Sequence, residues 1–588
     1  MPHGFDRNAF CSRDERPRDL IRGRSEMIEV SSRPDFIIIG GGSAGCVLAG
    51  RLTEDARISV LLIEAGDDVK PGETPPGISS SYPMALFHGT RWLWPDLMVY
   101  RNRDDPTSLS VPVFYEQGRV LGGGSSVNIQ AANRGIPADY DEWQQLGAAG
   151  WSWSDVLPYF NKLETDQDYT GSLHGTSGPV SIRRVPRPAW GPLARVTGDA
   201  LAKIGFEELQ DQNSDFRDGF FGPAISNDGM RVSASRAYLT DAVRSRKNLT
   251  ILTNAMVLRI IFSGGRATGV SYDRGRGPEY AAARNVILSA GAIHSPAILM
   301  SSGIGPGTLL SSLDIPVVND LPVGRALFDH PGIVVGTYLP RSLRLDRTHD
   351  RHSHVCMRFS SSEDSKADLY LAVGNKISWN AIGYRIGAFF LWLNKPYSRG
   401  TVTIRREGTG FAPVADFKYF DDARDIERLS TGIKTVMDLA DRIPGLSGDD
   451  LFPIRQTKLS RRMNRVGRFG GGLAMAAAAA LDVGFLRKAL LQRTVSYKQP
   501  LRTLIADSGL TQSYLKEFAF GYWHPSGTCK MGGTASSDAV VDTEGRVRGM
   551  ENLYVIDASI MPAIPRANLN IPTLMIAEKL SDALKKRC

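Results

Sequence analysis

Asp35–Asp68 reads DFIIIGGGSAGCVLAGRLTEDARISVLLIEAGDD, and the order of its parts decides the fold. Phe36–Ile39 is a short apolar run of the kind that forms a parallel strand buried on both faces. It breaks into Gly40-Gly41-Gly42-Ser43-Ala44-Gly45, a G-x-G-x-x-G turn that opens a helix. In such a turn the first glycine permits the bend and the second lets backbone approach a pyrophosphate. The third lets the helix lie close on the strand. The helix start supplies free N–H groups and a partial positive charge to phosphates. Val60–Ile63 is the next buried strand, and Glu64 closes it where a carboxylate can accept from a ribose hydroxyl. A lone glycine motif is weak, but strand, glycines, helix, strand and terminal acid in this order predict a dinucleotide site.

That motif does not choose between a nicotinamide and a flavin. Gly118-Arg119-Val120-Leu121-Gly122-Gly123-Gly124-Ser125-Ser126-Val127-Asn128 is too rich in glycine and serine for a regular element, and such a loop brings many backbone N–H groups against a cofactor. It resembles the first signature of the glucose–methanol–choline oxidoreductases, which bind FAD. Their second signature is matched by Gly291-Ala292-Ile293-His294-Ser295-Pro296 running on to Ser302-Gly303-Ile304-Gly305. A third match is Tyr522-Trp523-His524-Pro525-Ser526-Gly527-Thr528, followed by Asp557-Ala558-Ser559 and Asn568-Leu569-Asn570-Ile571-Pro572-Thr573. The resemblance runs from about Asp35 to Leu584. Within the family, Phe114–Gly135 with Pro137–Trp143 is most similar to members that oxidise aromatic and furanic alcohols.

The resemblance implies an α/β fold, α+β overall: a Rossmann-like FAD-binding domain with a discontinuous substrate-binding domain built on an antiparallel sheet. Residues 34–160, 225–330 and 517–588 would form the FAD-binding domain, and 161–224 and 331–516 the substrate-binding domain. Noncovalent FAD would be held by Gly40, Gly42, Ser43, Ala44, Gly45, Glu64, Ala65, Val120, Gly123, Asn128, Val257, Ala290, Asp557, Ala558, Pro572 and Thr573. Some relatives attach FAD through a histidine just before the loop asparagine. Val127 occupies that place here. Where the family has Gly-Val-Gly-Glu/Arg-Asn before an Asp-His pair, this chain has Val323-Gly324-Arg325-Ala326.

Oxidation of an alcohol by hydride transfer requires a base for the hydroxyl proton, and a neutral imidazole suits that task. Of the nine histidines, only His524 stands in the family's active-site motif. Asn570 is expected as its partner, an amide that holds the substrate oxygen without competing for the proton. Asn568 is its rival two residues earlier. Asn570 opens a helix with Pro572 in the first turn. His294 reads as structural, and His330 as a loop or cofactor-domain contact. His349, His352 and His354 lack an accompanying Cys or carboxylate at ligand spacing, so no metal is expected. The implied reaction is FAD-dependent oxidation of a primary alcohol, aromatic or furanic by preference, with dioxygen or another electron acceptor. The alternatives are a choline-like or aliphatic alcohol dehydrogenase using a quinone, and a catalytically silent flavin-binding protein.

The chain has 588 residues, 42% of them hydrophobic and 22% charged, with a net charge of +8. That size exceeds a single core. The charge is modest for the length and forms no basic block, which argues against a nucleic-acid partner. Five cysteines without metal spacing point to a reduced, cytoplasmic protein. Residues 1–33 mix arginines and acids without an apolar run, so they read as a disordered tail, with Met27 an alternative start to Met1. Gly470–Leu481, GGGLAMAAAAAL, is too short to span a bilayer and reads as a helix packed inside, making membrane association unlikely.

Overall fold

In the computed structural model, β1 (Phe36–Ile39) is the central strand of a five-stranded parallel sheet. Its neighbours are β2 (Val60–Ile63), paired from Phe36↔Val60 to Ile39↔Ile63, and a strand at Asn285–Leu288, paired from Phe36↔Asn285 to Ile39↔Leu288. Leu249–Leu252, here β3, extends the sheet beyond β2, and Leu553–Val555 extends it beyond Asn285–Leu288, here β4. Every residue of β1 and β2 is buried, as expected for strands covered on both faces. Helix α1 (Ser43–Leu52) follows the glycine turn, and a Cβ on Gly45 would run into the Gly40 carbonyl. This is why the third glycine of the motif is needed.

The structure describes residues 33–346, 351–454, 462–494 and 501–587. The expectations for the N-terminal tail, the translation start and His349 fall outside them. Residues 34–588 form one compact unit, in which the second layer is an antiparallel sheet. Its strands are β5 (Pro331–Tyr338), β6 (Ser353–Phe359), β7 (Leu369–Gly374) and β8 (Ile386–Leu393), in the order β5-β8-β7-β6. Gly219–Phe221 adds to β6, whereas Phe452–Pro453 and Phe520–Gly521 both add to β5. The cross-strand pairs Tyr370↔Trp392, Ala372↔Phe390 and Cys356↔Ala372 share one face and line the central cavity. On the other face Leu371, Val373, Phe389 and Leu391 join a core with Leu429, Ile433 and Val436 of helix Ala423–Arg442. A two-residue period in the strands thus separates core from cavity.

Sequence segments are interleaved more finely than the expected boundaries. Met98–Tyr100 pairs in parallel with Gly410–Asp416, so the 34–160 and 331–516 segments share a four-stranded sheet. Phe520–Gly521, placed with the last FAD-binding segment, lies on β5. The alanine-rich segment is helical over Arg468–Leu481 but is not packed inside. Ala474, Ala478 and Leu481 are buried at helical spacing, while Met475 is 62% exposed. Among the described residues, only one face of that helix finds a partner. No helix among the described residues is long and apolar enough to cross a membrane.

Candidate active site

A cavity of about 1830 Å³ runs from the glycine turn to the aromatic face of the antiparallel sheet. Small-molecule sites usually measure roughly 300–1,000 Å³, so this one has room for a dinucleotide and a substrate together. Gly40, Gly42, Ser43 and Ala44 line it at the start of α1, and Glu64 and Ala65 at the end of β2. The second glycine loop is laid directly on the first: Gly122 N donates to the Gly41 carbonyl at 2.7 Å. Gly123 adopts φ +52°, and a Cβ there would stand 2.8 Å from Gly42 Cα. Two glycine backbones therefore form one wall of the cradle, and a side chain on either would fill it. These residues fit FAD.

The remaining expected cofactor residues divide into two sets. Asn128, Val257, Ala290, Asp557, Ala558 and Thr573 also line the cavity. Gly45, Val120 and Pro572 do not, and they act through packing. Val120 is fully buried in a small core with Trp92 and Leu93, and Pro572 is buried in the helix Asn570–Lys585. Asp557 accepts from Gly291 N at 2.8 Å and Ser295 Oγ at 2.6 Å, capping the start of α2 (Gly291–Ser301). Asn128 Oδ1 accepts from Arg231 Nη1 at 2.7 Å.

Glu64 holds the turn as well as facing the cavity. Its two carboxylate oxygens accept from Gly41 N and Gly66 N, each at 2.8 Å, while burial raises its pKa. Glu64→Gln would set an amide NH₂ against one of these N–H groups and weaken acceptance from a ribose. A charge-assisted bond of roughly 1.5–3 kcal/mol is at stake. FAD affinity, titrated into apoprotein, is expected to fall roughly 10- to 100-fold. The rate per bound flavin should hold, because the chemistry lies at the other end of the cavity. Unchanged affinity would remove Glu64 from the ribose site.

His524 lies at that other end, on a bend in which Trp523 adopts φ +60°, a conformation rare for a bulky side chain. Asp329 fixes the bend. Its Oδ1 accepts from His330 N at 2.7 Å and His524 N at 2.9 Å, and its Oδ2 from Tyr419 Oη at 2.8 Å and Tyr115 Oη at 3.3 Å. Burial pushes the Asp329 carboxyl up to about 6 against those four donors. Burial likewise pushes the His524 imidazole down to about 3, leaving it neutral. The Nδ1 atoms of His524 and His330 are 2.8 Å apart, and Nε2 of His524 is 3.1 Å from Asn568 Nδ2.

The structure thus brings Asn568, not Asn570, to His524. Asn570 Oδ1 instead accepts from Ser43 Oγ at 2.8 Å, tying the start of its own helix, α3 (Asn570–Lys585), to the start of α1. The reason is angular. Asn570 is the first helical residue and Asn568 precedes the helix, and positions two apart at a helix start face different sides. His330, read as a loop or cofactor contact, is the second imidazole of the site. Its signal was the Asp329-His330 pair; Tyr115 was marked only as part of the Phe114-Tyr115-Glu116 flank of the glycine loop, and nothing in the sequence marked Tyr419. At the departure around Gly324 the backbone is held from both sides: Gly324 N donates to Thr528 O at 2.7 Å and its carbonyl accepts from Val402 N at 2.8 Å.

His294 stacks on Trp94 with ring centroids 4.2 Å apart, as suits a structural residue. His354 Nδ1 accepts from Gly191 N at 3.1 Å, and His352 lines the cavity beside Tyr82, so the two are engaged separately. Among the described residues one group has metal-like spacing, Glu164, Asp166 and His174. Cations already occupy it: Arg134 pairs with Glu164, and Arg184 with Asp166 and Asp211. Burial would lower the His174 pKa, but hydrogen bonds to Asp166, Asp211 and Glu164 outweigh it and hold the ring protonated, at about 10.

A dinucleotide cradle sharing one cavity with a buried neutral imidazole defines an oxidoreductase that works on a hydroxyl group. Comparison with known proteins agrees. The family described as GMC oxidoreductase matches residues 34–332 and, through its C-terminal part, 396–577. The chain is 40% identical to the 5-(hydroxymethyl)furfural oxidase of Methylovorus sp. (strain MP688), over 94% of this chain and 98% of that protein. It is 33% identical to the oxygen-dependent choline dehydrogenase of Pseudomonas syringae pv. tomato, over 95% of this chain and 94% of that protein. Among solved structures, pyridoxine 4-oxidase from Mesorbium loti superposes with a TM-score of 0.76 at 27% identity, covering 94% of this chain and 99% of the other. The chain belongs to the GMC oxidoreductase family and is an FAD-dependent oxidoreductase acting on the CH–OH group of alcohols.

Proposed function

We propose that the protein oxidises primary aromatic or furanic alcohols to aldehydes, with His524 as base, Asn568 as its partner and dioxygen as acceptor. The observation that carries this reading is the neutral His524 ring facing Asn568 at the edge of an aromatic wall. In that wall Tyr370 stacks on Trp392 at 4.5 Å, and Trp392 meets Tyr522 at 4.5 Å. A flat ring fits beside such faces. A quaternary ammonium alcohol would share the cavity with Arg351 and Lys376, which disfavours the choline reading.

The proton's route follows from the donors. With the Asn568 amide NH₂ toward Nε2, the single proton of neutral His524 sits on Nδ1 and is donated to Nδ1 of His330. Nε2 then carries the free lone pair. A substrate hydroxyl displaces the Asn568 contact and gives its proton to Nε2, while the amide turns to hold the substrate oxygen. Asp329 keeps both histidines in place through their backbone N–H groups. FAD, when bound, accepts the hydride leaving the carbinol carbon. Asn570 belongs to the cradle in this reading, where it fixes a helix start whose N–H groups would be available to a bound flavin.

The test is anaerobic bleaching of the bound flavin by a panel of alcohols, followed by air. Fast bleaching by benzylic and furanic alcohols with rapid recovery in air is expected. Bleaching by choline alone, or recovery only with a quinone, would overturn the substrate or acceptor assignment. Val127, buried beside Asn128, has no nucleophilic atom, and noncovalent attachment is the reading it supports. Acid or heat should therefore release FAD into the supernatant, and yellow precipitated protein would contradict it. Cys46, Cys356 and Cys529 are free and buried, which supports a reducing, cytoplasmic location.

A further inference from the structure

We infer that Arg351, with His352 and Lys376 beside it, forms an anion-recognition subsite for a carboxylate in the cavity, beside the ends of β6 and β7. The inference rests on the alcohol-oxidising reading only for what the carboxylate is attached to. Ser353 pairs with Gly374 at the ends of β6 and β7, and continuing that antiparallel register sets Arg351 opposite Lys376. Both line the cavity, on the same wall as Tyr370 and Ala372. Lys376 stands six positions beyond Tyr370 and two past the end of β7 at Gly374.

The unusual feature is a buried guanidinium with no acid beside it among the described residues. Arg351 is only 8% exposed, and its Nε and Nη1 are buried without a hydrogen-bond partner. No carboxylate among the described residues pairs with it. Burial pushes its guanidinium down to about 10, so it remains charged at neutral pH. Behind it Arg231 is buried with Nη2 unpartnered, its pKa pushed down to about 9 by burial and then by Arg351. Lys376 Nζ donates to Tyr384 Oη at 3.1 Å and lies 4.9 Å from the Tyr82 ring centre. His352 is held neutral, at about 3, and its buried Nδ1 is also unpartnered.

Buried guanidinium groups without an acid are destabilising, and a second one nearby adds repulsion. An anion entering from the cavity would relieve both. A planar guanidinium offers several fixed N–H donors suited to a carboxylate, with the ammonium and imidazole as supplementary donors. That carboxylate could be free in solution or the tail of an extended alcohol. Either makes the same contacts, and the two are separable by experiment.

The test uses the holoenzyme and probes that need no turnover. Calorimetric titration with benzoate and with its neutral counterpart benzamide should show at least a tenfold preference for benzoate. Arg351→Met should abolish that preference with FAD content unchanged, and Lys376→Met should reduce it. A loss of roughly 10- to 100-fold in benzoate affinity corresponds to charge-assisted bonds of this kind. In flavin reduction, 12-hydroxydodecanoate outperforming its methyl ester would assign the carboxylate to the substrate's tail. Equal rates beside tight benzoate binding would assign it to a free ligand. Equal binding of benzoate and benzamide, a preference surviving in Arg351→Met, or loss of FAD from both variants would overturn the subsite. None of these binding results depends on which alcohol is oxidised.

Discussion

His524→Ala is expected to slow reduction of the bound flavin by about 10²–10⁴, the range for loss of a general base. FAD should stay bound, because its cradle is built from the two glycine loops and Glu64, at the opposite end of the cavity. The pH dependence of the unmutated protein tests the same assignment. Proton acceptance needs the neutral ring, and burial holds the His524 pKa below its ordinary 6.5, at about 3. Lowering the pH therefore protonates the base only below the usual imidazole range. The reduction rate should be level from about pH 9 down to roughly pH 5 and decline only in buffer acidic enough to approach the shifted pKa. His524→Ala should lose that acid limb together with the rate. The measurement is anaerobic stopped-flow reduction across pH. A variant as fast as the parent at pH 7, or a parent whose rate climbs steeply through pH 7–9, would remove His524 from the role of base.

Asp329→Ala should have the largest effect on stability. Four donors converge on this buried carboxylate, two of them backbone N–H groups that cannot turn elsewhere. Leaving buried donors unpaired costs about 1–3 kcal/mol each, so the two backbone groups alone predict a loss of about 2–6 kcal/mol. Flavin reduction should slow as well, since the bend that presents His524 loses its anchor. Asp329→Asn retains one acceptor oxygen and should fall between alanine and the parent in both measurements. Thermal unfolding of the three proteins, at equal FAD saturation, provides the comparison. A midpoint for Asp329→Ala within a degree of the parent would show that the hub is dispensable.

Local chemistry made much of this protein legible in its sequence. Buried parallel strands, the spacing of Gly40, Gly42 and Gly45, and an acid at the end of the second strand are short-range requirements that residues meet within 34 positions. The histidine of the third motif could be assigned because few side chains can accept a hydroxyl proton at neutral pH. What failed was direction. Whether Asn568 or Asn570 meets His524 depends on where α3 begins and which way its first turn faces, and residue type carries no such information. The alanine-rich helix failed similarly: its composition fits a core, but among the described residues its neighbours cover only one face.

The sequence by itself determined the dinucleotide-binding unit, because it rests on local geometry, and through contiguous motifs that resemble the family it pointed to FAD, to a second antiparallel layer and to His524 as candidate base. Tertiary structure decided the partners. It brought Asp329 and Tyr419 to the bend at His524, set His330 behind it, joined Asn570 to Ser43 across 527 positions, and lined the cavity with Arg351, which has no acid beside it among the described residues. Contacts between residues so far apart depend on how the strands and helices pack, and only the folded chain fixes that packing.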